Sequence, residues 1–279
     1  MSPSFRCGRF ELRLERPLVM GIVNVTPDSF SDGAEFLDPD VAVAHARQLV
    51  AEGADILDIG GESTRPGAQP VDANAELARV LPVVEALRDV GVPLSVDTSK
   101  ADVMRRVLVA GADMINDVYA LRQPGALEAV AGSDCGVCIM HMQGEPRSMQ
   151  VAPQYDDLLA DVQAFLQTRV EVVFAAGIDP SRVVTDPGFG FGKTKKQDFS
   201  LLQGLAQTRV QALPMLLGLS RKSMIGHVTG RPVRERLAGS IAGMLAGVAR
   251  GAQIVRVHDV AATVDALKVW RAVEFGVTE

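Results

Sequence analysis

Four side chains scattered along the 279 residues, Arg65, Lys222, Arg256 and His258, are of the types that hold phosphate oxygens. Arginine offers a planar fork and lysine a point charge, a combination suited to a polyanion. Arg256 and His258 stand two apart in a β-rich apolar run, so on a strand they point the same way. Singly, each reads as a surface charge; together they indicate an anionic substrate. A second set, Asp97, Asn116 and Asp186, offers acceptors. A carboxylate beside an amide can pair with a heterocycle edge that presents adjacent N–H donors. For Asp97 a plainer role stays open, because Asp97-Thr98-Ser99 runs into a helical stretch that it could cap. Asp186 precedes Pro187 and a glycine loop rather than a helix.

Two near-motifs carry less. Gly188 to Thr194 (GFGFGKT) has the composition of a phosphate-binding loop, but the required first glycine falls on Pro187, and Lys193 takes the third glycine place of a dinucleotide fingerprint. Cys135 and Cys138 have CxxC spacing with His141 nearby, yet on a strand Cys138 and His141 face opposite sides and no second ligand pair follows. Small buried filler is the better reading there. His45 and His227 have no evident partner.

These residues need a frame that gathers them. Short apolar runs at Leu18–Val23, Asp55–Ile59, Leu94–Val96, Asp113–Ile115, Gly136–Met140, Val183–Thr185, Met215–Leu219 and Gln253–Val257 read as buried strands. They alternate with stretches of helical period, among them Asp40–Glu52, Asn74–Val90, Lys100–Ala110, Tyr155–Ala176, Glu235–Arg250 and Val260–Phe275. Eight strand–helix units predict a closed (β/α)8 barrel, a TIM barrel, preceded by a short hairpin-like extension around Phe10–Leu14. An open doubly wound sheet is the alternative, although it more often has five or six strands. No linker divides the chain, so residues 1–279 read as one domain. In such barrels chemistry sits at the C-terminal strand ends. Here those ends carry Asn24, Glu62 to Arg65, Asp97, Asn116, His141, Asp186, Ser220 to Lys222, and Arg256 with His258.

The net charge of −6 leaves no broad basic face for nucleic acid, without excluding a local anion site. Three cysteines argue against a disulfide framework and suit a reducing cytoplasm. Met1–Phe10 has no apolar signal core, and the longest apolar run, Leu237–Ala249, is shorter than the roughly 18 residues of a membrane span. Gly239, Gly243 and Gly247 recur every fourth residue, predicting a helix face in close contact with another surface, such as a second subunit.

The longer blocks resemble one family. Asn24 to Asp32 (NVTPDSFSD), Asp58 to Gly67 (DIGGESTRPG), Ser95 to Thr98, Ile115 to Asp117, Met140 to Met142, Asp186 to Lys193 (DPGFGFGK), Ser220 to Ser223 (SRKS) and Arg256 to Asp259 resemble the dihydropteroate synthases. The resemblance spans roughly residues 18 to 270. It implies condensation of 6-hydroxymethyl-7,8-dihydropterin diphosphate with p-aminobenzoate, giving 7,8-dihydropteroate and pyrophosphate. By matching position, Asp97, Asn116, Asp186 and Lys222 would hold the pterin ring, with Met140 and Phe191 on its apolar side and Arg256 against it. Asn24 would coordinate Mg²⁺ through the diphosphate. Thr64, Arg65, Arg256 and His258 would meet the diphosphate. Phe30, Pro66, Lys222 and Ser223 would hold p-aminobenzoate, Ser223 from the start of a helix. Asp97, Lys222 and Arg256 would act in catalysis. A dissociative displacement needs no side-chain nucleophile, and none is evident. The resemblance further implies a homodimer and inhibition by sulfonamides, which mimic p-aminobenzoate. Rival readings are a methyltransferase that passes a methyl group from methyltetrahydrofolate to a corrinoid, a pterin-binding paralogue without activity, and a phosphate-sugar barrel enzyme. The first has no use for the cation cluster and the last none for the acceptor set. The basic segment Thr194 to Gln197 departs from the family pattern.

Overall fold

A computed structural model describes residues 4–26, 39–63, 69–145, 149 and 152–277. Its frame is a barrel of eight parallel strands: β3 (Leu18–Asn24), β4 (Ile56–Gly60), β5 (Leu94–Asp97), β6 (Met114–Asp117), β7 (Gly136–Met140), β8 (Val183–Asp186), β9 (Leu216–Leu217) and β10 (Ile254–Val257). They are ordered β8-β7-β6-β5-β4-β3-β10-β9, and a parallel bridge from Thr185 to Met215 brings the two ends together. The seventh strand is shorter than its apolar run predicts. Pro214 gives its carbonyl to Thr185, and beyond Gly218 the chain turns, with Lys222 N–H bonded to the Leu219 carbonyl.

Alternation along each strand builds two cores. Val19, Val23, Leu57, Ile59, Val96 and Ile115 face outward, where helices α1 (Pro39–Ala51), α2 (Ala73–Leu87) and α3 (Ala101–Ala110) bury Leu49, Val84 and Val107 against the same cluster. The inward residues Met20, Ile56, Met114, Cys138, Val184, Leu216 and Ile254 fill the barrel. Helices α4 (Ala126–Ala131), α5 (Leu158–Ala175), α6 (Lys195–Gln203), α7 (Ser223–Thr229), α8 (Leu237–Val248) and α9 (Val260–Phe275) complete the outer ring. Among the described residues no helix is long and apolar enough to cross a membrane.

The N-terminal extension is a hairpin, β1 (Ser4–Cys7) against β2 (Phe10–Arg13), and it closes the bottom of the barrel. Phe5 is fully buried where a side chain at position 136 would stand; a Cβ on Gly136 would lie 2.6 Å from the Phe5 ring. Arg9 clamps the hairpin through Nε to Asp113 Oδ1 at 2.9 Å and a second nitrogen to Oδ2 at 3.0 Å. Gly8, at φ +56°, permits the turn: a Cβ there would meet the Asp113 backbone at 2.8 Å.

Two sequence readings are settled by local structure. The basic Thr194 to Gln197 segment is a helix start, where Thr194 and Gln197 form a reciprocal capping box for α6. The glycine face of α8 does not await a second subunit. Gly239, Gly243 and Gly247 pack on Ile225, Leu219 and Leu217 of the same chain, with hypothetical Cβ atoms 2.4, 3.0 and 2.2 Å away. Small residues are needed there because α8 lies directly on α7 and the β9 segment.

Candidate active site

Register determines what meets at the top of the barrel. Asn24 pairs with Gly60, Gly60 with Asp97, and Asp97 with Asn116, so four successive strands place these residues in one row. One step deeper, Asp58 pairs with Ser95. Gly60 has no side chain, which leaves space between Asn24 and Asp97. On the far side Met140 pairs with Asp186.

Asp58 organises this row. It is fully buried, and its Oδ1 accepts from Ser95 Oγ at 2.6 Å. Its Oδ2 accepts from Asn116 Nδ2 at 3.2 Å and from Arg256 Nε at 2.5 Å. Arg256 also reaches Asp97 Oδ2 at 3.0 Å, so one guanidinium bridges two carboxylates. Burial opposes the Arg256 charge, but Asp58 and Asp97 outweigh it and hold its pKa above the ordinary value. Burial likewise pushes the Asp97 carboxyl up to about 7; Arg256 opposes the rise, while Asp58, Glu76 and Asp117 add to it. The capping alternative for Asp97 is excluded, because α3 begins at Ala101 after Lys100 and Asp97 is engaged by Arg256.

Asp186 and Lys222 form the opposite side. Burial raises Asp186 against the pull of Lys222, and its Oδ1 accepts the Gly188 N–H at 2.7 Å. Lys222 falls to about 8, burial again being the main cause, with Asp186 and Asp198 opposing. Its ammonium donates to the Phe189 carbonyl and lies 4.6 Å from the centroid of the Phe191 ring. Phe191 and Met140 pack with Val118, Met142 and Met149 into an apolar wall. The barrel mouth therefore has an acceptor floor, an apolar wall and two cations, a site for a flat heterocycle that carries an anion.

The remaining expectations fall around this centre. His258 follows β10, with its N–H 3.2 Å and its Nδ1 3.0 Å from Ser220 Oγ. Ser223 is exposed beside Lys222 at the first position of α7. Asn24, half-buried, makes no side-chain hydrogen bond among the described residues. Phe30, Thr64, Arg65 and Pro66 lie outside the described residues. A cleft of about 370 Å³, bordered by Thr26, Ser63, Asp72 and Arg79, opens beside the ends of β3 and β4. Cys138 is inside the barrel, whereas His141 packs outward on Phe165, so the CxxC spacing forms no site with it.

Sequence reasoning passed over Asp58 and Ser95. Their signal was parity: Ile56, Asp58 and Gly60 share the inward face, so an aspartate within that strand had to point into the barrel. Like Asp58 and Ser95, Lys193 stood only within a motif, and Ser220 and His141 only within motifs and the row of polar strand ends.

A barrel with this rim defines a class, the enzymes that bind a pterin at the C-terminal strand ends. The family pattern described as pterin binding enzyme matches residues 20–258. The dihydropteroate synthase of Neisseria meningitidis serogroup B is 51% identical over 275 residues, covering 96% of each chain. The crystal structure of the Burkholderia cenocepacia dihydropteroate synthase complexed with 7,8-dihydropteroate is 54% identical and superposes with a TM-score of 0.90, covering 98% of this chain and 96% of that one. The Yersinia pestis dihydropteroate synthase with a sulfonamide drug complex is 49% identical with a TM-score of 0.93, covering 97% and 98%. This chain belongs to the dihydropteroate synthase family.

Proposed function

We propose that the chain condenses 6-hydroxymethyl-7,8-dihydropterin diphosphate with p-aminobenzoate, forming 7,8-dihydropteroate and pyrophosphate. The observation that carries this reading is the Asp58–Arg256–Asp97 bridge beside the Asn116 and Asp186 acceptors. It sets a cation between a ring-recognition floor and the rim where a diphosphate would lie.

The ring's N–H donors would be met by Asp97, Asn116 and Asp186, and its face by Met140 and Phe191. Lys222 would hold the ring from the side of Phe191. The C–O bond at the pterin methylene breaks with its electron pair leaving on pyrophosphate, whose charge Arg256 and His258 would neutralise. Thr64 and Arg65 would join them. Asp97, ionised, stabilises positive charge that develops on the electron-rich dihydropterin. The amine nitrogen of p-aminobenzoate then bonds to the methylene carbon and gives up a proton. Ser223, with Phe30, Pro66 and Lys222, would hold the arylamine, and a sulfonamide would occupy the same place.

Asn24 fits a Mg²⁺ role: its amide oxygen is uncommitted and stands in the row with Asp97. No group of three His, Cys, Asp or Glu among the described residues could hold an ion. Held by Asn24, a Mg²⁺ would keep water and diphosphate oxygens as further ligands, as is usual for Mg²⁺. When bound, it would supply charge neutralisation to the leaving group.

Pyrophosphate release, measured with Mg²⁺ and with or without p-aminobenzoate, tests the reading. Release matched by dihydropteroate formation supports it. Tight pterin binding without release would favour an inactive paralogue or a methyltransferase.

A homodimer is also proposed. Val228 of α7, Leu237 of α8, and Val269 and Val273 of α9 are exposed apolar residues that a second copy could cover. Gel filtration giving only monomer would remove this. The free, buried thiols Cys7, Cys135 and Cys138 suit a cytoplasmic location.

A further inference from the structure

Behind the apolar wall lies a buried cation that the proposed reaction does not use. Lys193 is fully buried. Its Nζ stands 2.8 Å from the Gly188 carbonyl oxygen, 3.1 Å from that of Phe191 and 2.9 Å from His141 Nδ1. An ammonium has three N–H donors, and these are its three acceptors. They come from two separate strand ends: His141 follows β7, and the 188–192 turn follows β8. Met140, immediately before His141, and Phe191, within the turn, both belong to the apolar wall. The two segments touch without side chains between them. Gly188, at φ +72°, would place a Cβ 1.9 Å from the His141 carbonyl oxygen. His141 is 4% exposed, its ring held edge-on by Phe165 at 5.0 Å.

The charge is set among others. Asp186, Asp198 and Lys222 face Lys193; burial lowers its pKa to about 7, Asp198 and Asp186 oppose the fall, and Lys222 adds to it. Burial and Lys193 hold His141 down at about 2, so its ring is neutral and Nδ1 can accept. The turn has other ties independent of this one: the Gly190 N–H donates to Asp198 Oδ1 at 2.7 Å, and Tyr155 Oη donates to the Gly192 carbonyl at 2.6 Å.

We propose that Lys193, with His141 as its acceptor, is a positioning residue for the ring site, clamping the β7 end to the glycine turn so that Met140 and Phe191 stand at the spacing a pterin ring requires. The proposal rests on the pterin reading above. A hydrophobic residue of similar size would fill the same volume, strip the Phe191 carbonyl of its donor and leave the Gly188 carbonyl with the Phe191 N–H alone.

Four variants separate positioning from simple stability: Lys193→Met, His141→Leu, His141→Asn and Tyr155→Phe. The readouts are the dissociation constant of 6-hydroxymethylpterin, followed by its fluorescence, the KM values of both substrates, and the melting temperature. Lys193→Met and His141→Leu should weaken 6-hydroxymethylpterin and raise the KM of the pterin diphosphate about tenfold or more, with the KM of p-aminobenzoate at saturating pterin little changed. His141→Asn, whose amide oxygen can accept from the ammonium, should recover most of the loss. Tyr155→Phe removes a different tie of the same turn; it should lower the melting temperature while leaving pterin affinity close to wild type. If Lys193→Met does not fold, His141→Leu decides. Unchanged pterin affinity in His141→Leu, or an equal loss in Tyr155→Phe, would overturn the proposal. Wild-type protein that binds no 6-hydroxymethylpterin would instead remove the functional reading on which it rests.

Discussion

The guanidinium of Arg256 lies between Asp58 and Asp97, with Nε 2.5 Å from one carboxylate and a terminal nitrogen 3.0 Å from the other. Asp58 is fully buried and Asp97 nearly so, while Arg256 keeps 21% of its side-chain surface toward the mouth. The arginine is thus fixed from below and available from above.

Asp58→Ala removes the deeper partner and should destabilise the fold by about 3 kcal/mol, the usual scale for breaking a buried pair. It should also weaken pterin binding, because Asn116 loses its orienting acceptor. Urea unfolding and pterin titration measure both. A loss below about 1 kcal/mol would mean that Asp97 alone suffices to hold Arg256.

Asp97 gives a signed pH effect. Its folded pKa of about 7 exceeds the ordinary 3.8, so the native state holds the proton more tightly than the unfolded chain. Its contribution to stability is therefore complete below about pH 3.8 and is lost as the pH climbs through about 7. Between pH 5 and 8 the wild type should lose stability relative to Asp97→Asn. A difference that stays constant or grows the other way would contradict this assignment.

Activity should respond in the opposite sense on the acid side. Ionised Asp97 is the better acceptor, and protonated Lys222, with a pKa near 8, the better donor. The kcat/KM for the pterin diphosphate should follow a bell with limbs near 7 and 8. Lys222→Met should reduce kcat/KM by roughly 10²-fold or more and abolish the alkaline limb. A persisting alkaline limb in that variant would assign it elsewhere.

Ser220→Ala removes the oxygen that meets His258 Nδ1. One hydrogen bond of about 1 kcal/mol corresponds to a KM for the diphosphate substrate raised about fivefold, with 6-hydroxymethylpterin binding unchanged. Equal weakening of both ligands would show that Ser220 supports the ring site instead.

Gly247→Ala tests the packing of α8. Its Cβ would meet Leu217 Cδ2 at 2.2 Å, so about 1–3 kcal/mol of overpacking is expected in thermal unfolding. The dissociation of any dimer, followed by sedimentation, should not change. A variant that altered assembly alone would return the glycine face to a subunit contact.

Much of this was legible in the chain. Strand parity and the polar ends after Val23, Val96 and Ile115 foretold which side chains would converge, because period-two alternation admits few alternatives. What escaped was set by contacts distant in sequence. Asp58 gains its role only from Arg256, 198 positions away, and Ser95 and Asn116. The Gly239 to Gly247 stripe announced close packing correctly but not against what; a spacing cannot distinguish a neighbouring chain from the chain's own β9. The Thr194-Gln197 pair met the capping-box pattern, yet its lysines drew the reading toward charge rather than helix initiation.

The hairpin that closes the bottom of the barrel has a consequence for synthesis. Phe5 and Arg9 leave the ribosome well before their partners, Asp113 and the small pocket at Gly136, which come more than a hundred residues later. The opening segment must wait through four strand–helix units before it can dock. The seal on this end of the barrel therefore closes long after its own residues are made, and a nascent chain halted before β7 leaves Phe5 exposed.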